Sequence, residues 1–167
     1  GHPEITPPSH FHHVRDTTDT VHTTETNLES LTAARADLAR AASVCRRGAE
    51  HLDAIPAADV VNALAGIHER DLAHLQRLAM RLGFRLGDAG AAIEETSTAR
   101  VRRARAEGGD GAVLALIDEI EETATTALTR LGDAPDLPDE FRTLAASSLD
   151  ELRRRHERLR AASRVAA

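Results

Sequence analysis

The chain of 167 residues is 41% hydrophobic and 29% charged, which is enough apolar material for a one-domain core and too little bias for disorder. Its net charge of −6 comes from 27 acidic residues against 21 basic ones, all arginine, and argues against nucleic acid as the main partner, because phosphate binding needs a basic face. Aromatic residues make up only 2%, so the core has to be aliphatic, and the abundance of Ala and Leu favours helix over sheet.

Residues 1–26 open with Pro3, Pro7 and Pro8 and continue in Thr and His without a helical period, which predicts a flexible Thr/His-rich arm. The leading Gly1-His2 is read as a tag remnant, and His10, His12 and His13 as an incidental cluster rather than a metal site. The bundle proper is expected over residues 27–167. Its first helix starts at a cap on Thr26 or Asn27 and carries Leu28, Leu31, Leu38, Ala42, Cys45, Ala49 and Leu52 on one face, ending near Asp53. Cys45 is the only cysteine, so no internal disulfide forms, and on that apolar face it reads as a buried, inert thiol.

Pro56 opens the second helix, whose stripe is Val60, Leu64, Ile67, Asp71, then His74 or Leu75, Leu78 and Leu82, with Gly83 and Gly87 ending it. A crossover from Phe84 to Gly111 follows. It is helical from Ala91 to Glu107 and closed by Gly108-Gly109-Asp110-Gly111. The arginines at 100, 102, 103 and 105 complement the dipole at the end of that helix, an anion site being the alternative. The third long helix, from Gly111 to Leu131, carries Leu114, Ile117, Glu121, Ala124 and Leu128. The fourth begins at Pro138-Asp139-Glu140 and carries Phe141, Ala145, Leu149, Leu152, His156 and Leu159. Short links within each pair and one long, partly helical crossover between helices two and three predict an all-α, ferritin-like, up-down four-helix bundle.

Ionisable residues interrupt three of these stripes, and a buried charge needs a partner, a metal ion or water. Asp71 and His74, three apart, share a helix face and resemble half of a di-iron-type site; a solvent channel, or pairing of Asp71 with an arginine of a neighbouring helix, are the alternatives. Glu121 on helix three and His156 on helix four complete the candidate metal ligands, His156 reading equally as a half-buried, hydrogen-bonded histidine. At about 1.5 Å per residue, Asp71 and Glu121 fall within one layer, whereas His156 falls about 10 Å from Glu121. Oxygen and imidazole ligands suit iron, manganese or zinc. Helix one offers no carboxylate on its stripe, so a complete two-metal cage is not expected. No glycine-rich phosphate loop, nucleophile elbow or zinc cysteine pair is present.

Several short patterns resemble an uncharacterised bacterial ferritin-like family related to rubrerythrin. They are Gly48-Ala49-Glu50, Arg81-Leu82-Gly83, Gly87-Asp88-Ala89-Gly90, the run Leu116 to Glu121, Leu137-Pro138-Asp139-Glu140 and the run His156 to Arg160. The resemblance spans residues 28–163 and implies the bundle and its connectivity, but little about activity. The chain departs from the family pattern at Arg40-Ala41, where Asp-Gly is expected, at Glu122-Thr123-Ala124-Thr125, where a charged run is expected, and in its missing aromatics. The expected function is therefore a non-catalytic, stress-related or interaction module with a degenerate metal site. The alternative is a bundle that binds iron, manganese or zinc through Asp71, His74 and Glu121. The protein is expected to be cytoplasmic and dimeric, without nucleic acid or membrane as partners.

Overall fold

The structure, a computed structural model, describes residues 6–166, with side chains from 27 to 165. Among the described residues the chain forms four α-helices: α1 (Thr6–Glu50), α2 (Ile55–Arg81), α3 (Gly90–Asp133) and α4 (Asp139–Ala166). α1 starts earlier than Thr26 or Asn27. Pro7 and Pro8 fall in its first turn, where a missing N–H costs nothing, and extending a nucleated helix costs little. Residues 1–5 of the expected arm, and the side chains of His10, His12 and His13, lie outside the described residues.

α1 packs against α2 and α3, and α4 packs against the same two, so α1 and α4 occupy one diagonal of the bundle and α2 and α3 the other. α2 begins with a proline in its first turn and ends at Gly83, whose φ of +86° suits a residue without a side chain. There the Gly83 N–H donates to the Met80 carbonyl and the Phe84 N–H to the Ala79 carbonyl, which uses up two carbonyls that the helix end leaves bare.

The crossover is helical, as its sequence predicts, and it forms the first arm of α3. α3 breaks at Gly108 and Gly109, where the backbone leaves helical geometry. Before the break α3 lies along α1: Glu94 accepts a 2.6 Å hydrogen bond from Ser43 and pairs with Arg47 at 2.9 Å. At the break Asp110 accepts the backbone N–H groups of Asp53 and Ala54, each at 2.9 Å, ahead of the first turn of α2. These two bonds hold the Asp110 carboxyl below its ordinary range. Arg105 clamps the same corner, 2.6 Å from Asp53 and 2.8 Å from Asp110, so this arginine is occupied by carboxylates and not free for an anion.

The second arm of α3 therefore runs back down the bundle, antiparallel to α1 and parallel to α2, and this is the ferritin-like connectivity. Gly48 allows α1 and α3 to close up, since a Cβ there would lie 2.8 Å from the Ile117 Cδ1. The core is largely aliphatic, with Leu31, Leu38, Leu64, Leu75, Ile117, Leu128, Leu131 and Leu152 fully buried together with Phe141. On α2 it is Leu75 that is buried, while His74 is exposed. Leu28, expected on the α1 stripe, is 39% exposed. No helix among the described residues is long and apolar enough to cross a membrane.

Gly109 combines φ +61° with ψ −146°, a region open to glycine and costly for any residue with a Cβ. The substitution Gly109→Ala is expected to lower the unfolding free energy by about 1–3 kcal/mol, read as a lower urea midpoint at unchanged slope. An unaltered midpoint would mean that the turn accommodates a side chain.

Candidate metal centre

Glu121 sits on α3 one turn beyond Ile117 and faces inward, 2% exposed among leucines. Both of its oxygens are engaged, and the partners come from the other three helices. Oε2 accepts from the His68 Nε2 of α2 at 2.6 Å and from the Cys45 Sγ of α1 at 3.5 Å. Oε1 accepts from the His156 Nε2 of α4 at 2.7 Å. Each helix thus places one ligand-type side chain in a single layer. Cys45 and His68 are fully buried and His156 half-buried.

Burial alone would push the Glu121 carboxyl up and neutralise it. The positive charge of His68 and the hydrogen bonds from His156 and His68 outweigh that, and hold it down at about 2. The Cys45 thiol moves the other way: burial, then the neighbouring Glu121 charge, raise it well above its ordinary value. The thiol therefore keeps its proton and donates a hydrogen bond to the carboxylate. His68 Nδ1 is buried without a hydrogen-bond partner, an unsatisfied polar atom inside the cluster.

Ligand atoms of Cys45, His68 and Glu121 all lie within 4.8 Å of one another, so the three can hold a metal ion. The donor set fits a divalent cation in charge, because once the cation displaces the Cys45 proton a thiolate and a carboxylate together carry two negative charges. It also fits in size. A tetrahedral zinc centre with ligands at about 2.0–2.3 Å separates neighbouring donor atoms by roughly 3.3–3.7 Å. The Cys45–Glu121 spacing of 3.5 Å already matches. The His68–Glu121 contact, at 2.6 Å, is short by under about 1 Å, the difference between sharing a proton and sharing a cation, while His156 holds the other carboxylate oxygen at 2.7 Å.

Of the ligands expected from the sequence, the structure brings Glu121 and His156 into hydrogen-bonding contact and sets Asp71 and His74 apart from them. Asp71 is buried, accepts a 2.7 Å hydrogen bond from Ser148 and lies 3.3 Å from Arg70, which in turn bonds Glu151. Its arginine belongs to its own helix. His74 is exposed beside it, in a groove between α2 and α4. His156 was expected about 10 Å from the Glu121 level. Counting residues from helix ends ignores the offset of the loop between α3 and α4 and the reach of two long side chains.

His68 and Cys45 were missed as ligands. The signal for His68 was present: starting the α2 stripe at Val61 instead of Val60 gives Val61, Leu64, His68, Asp71, Leu75 and Leu78, an unbroken three-four series. Comparison of the chain with known protein families, curated proteins and solved structures returned no match.

The Glu121 carboxyl titrates at about 2 in the folded protein, against an ordinary 4.5 when unfolded. Its stabilising contribution, roughly 3 kcal/mol, is complete above about pH 5 and fades as pH falls toward about 2. In chelator-treated protein the stability difference between wild type and Glu121→Gln is expected to shrink across that window. Parallel profiles for the two proteins would contradict the assignment.

Proposed function

We propose that the protein is a non-catalytic helical bundle that holds one zinc-type divalent ion at Cys45, His68 and Glu121, with His156 steadying the other oxygen of that carboxylate, and that it is a divergent relative of the ferritin-like, rubrerythrin-related bundles. The observation that carries this reading is the convergence of one ligand-type residue from each helix on a single buried carboxylate. A two-metal carboxylate cage draws glutamates from all four helices of a bundle. Here the cluster contains one carboxylate, so a single ion is the stoichiometry it supports. Thiolate and imidazole favour zinc over manganese, which prefers oxygen ligands.

Cys45, His68 and Glu121 are all buried, so an ion held by them is walled off from substrate, which suits a structural role. Such an ion stabilises the fold, since it binds the assembled bundle and not the separated chain. A metal-ligating cysteine that must stay reduced suits a reducing compartment, in keeping with a cytoplasmic location.

Elemental analysis of untagged protein from supplemented cultures is expected to find one zinc per chain. Cys45→Ser, His68→Gln and Glu121→Gln should each weaken binding by more than the roughly 10–100-fold that loss of an outer partner costs. The double variant Asp71→Asn, His74→Gln should keep its metal. Metal-free wild type would end this reading, and loss of metal only in the double variant would favour the site at Asp71 and His74 instead.

A further inference from the structure

A second feature stands well away from the metal layer. Arg35 lies on α1 ten residues before Cys45, about 15 Å along the helix axis. It is only 6% exposed, and its Nε is buried without a hydrogen-bond partner. Among the described residues no carboxylate is paired with it. Asp37, the nearest acid on α1, is taken by Arg40 at 2.8 Å, and Asp88 by the backbone N–H of Gly90 at 3.0 Å.

A buried guanidinium without a counter-charge is costly, and the arginines of this chain are otherwise largely matched with acids or left in solvent. Arg35 lines a groove of about 470 Å³ between α1, the end of α2 and the loop that starts the crossover. Arg85 and Asp88 also border it, and their charges cancel, which leaves the single positive charge of Arg35. Gln76 adds one uncharged amide, and the rest of the wall is mostly apolar, built from Ala79, Met80, Phe84 and Leu86. Phe84 is fixed there by edge-on packing against Phe141, with ring centroids 5.8 Å apart.

We infer that this groove binds a small carboxylic acid with an apolar tail, its carboxylate on the Arg35 guanidinium and its tail along Phe84 and Leu86. The guanidinium fork matches a planar carboxylate in two parallel hydrogen bonds. One net positive charge matches a monoanion better than a phosphate dianion. The groove's volume is that of an ordinary small-molecule site.

Calorimetric titration of the full chain with hexanoate, hexanol and inorganic phosphate tests the inference. Hexanoate is expected to bind, hexanol to bind at least roughly tenfold more weakly for want of the charge-assisted hydrogen bonds, and phosphate to bind more weakly than hexanoate. Arg35→Met should lose the preference for hexanoate over hexanol while its circular dichroism stays that of the bundle. Should that variant fail to fold, Leu86→Glu sets a tethered carboxylate opposite Arg35 and is expected to abolish hexanoate binding. Absence of hexanoate binding by wild type would overturn the proposal. So would equal binding of hexanol, tighter binding of phosphate, or unchanged hexanoate binding in the folded variant.

Discussion

The bundle depends on one buried carboxylate. A carboxylate among leucines is unstable unless its charge is met, and Glu121 has it met by residues from α1, α2 and α4 together. The helices α2 and α3 stand on a diagonal without backbone contact, yet His68 and Glu121 join them through the centre of the core. Hydrocarbon packing tolerates a helix that slides by a turn, since one leucine replaces another. A polar layer does not, because a slip of one turn would strand Glu121 against apolar side chains. The layer thus fixes the register of all four helices, and it is also where a cation can take over the role of the shared protons.

For α3 to present Glu121 toward His68, its second arm must run parallel to α2, and a chain that has just finished α2 is at the wrong end of the bundle to begin it. The first arm of α3 solves this by carrying the chain back along α1, held by Ser43 and Arg47 on Glu94. The reversal needs a backbone shape that only glycine adopts readily, found at Gly109, and the Asp110 and Arg105 contacts lock it onto the α1–α2 corner. Gly48 then lets α3 approach α1 closely enough for Cys45 to reach the carboxylate. The geometry of the turn and the chemistry of the layer are one problem solved in two places.

Much of the fold was legible because its signals are periodic or positional. Leucines at three-four spacing marked the helices, Pro56 and Gly83 marked the ends of α2, and the run of glycines from 108 to 111 marked the reversal. Glu121 stood out as a charge on an apolar stripe, and His156 likewise. His68 did not, because Val60 and Val61 offer two equally plausible starts for the α2 stripe, one residue apart, and the choice of the first hides the histidine beside Ile67. Cys45 was legible as buried but not as a ligand, since an isolated thiol on an apolar face carries no sign of what lies opposite. The start of α1 was obscured by its prolines and threonines, which weigh against helix locally while the length of an established helix carries the backbone through them.

A mononuclear centre with sulfur in its ligand shell distinguishes this account from an oxygen-rich ferritin-like site, and X-ray absorption at the zinc edge of the loaded protein reads that difference directly. Zinc held by Cys45, His68 and Glu121 shows one sulfur scatterer at about 2.3 Å with nitrogen and oxygen at about 2.0–2.1 Å in a four-coordinate shell. A shell of nitrogen and oxygen alone, or a second metal at about 3.5–4 Å, would contradict it.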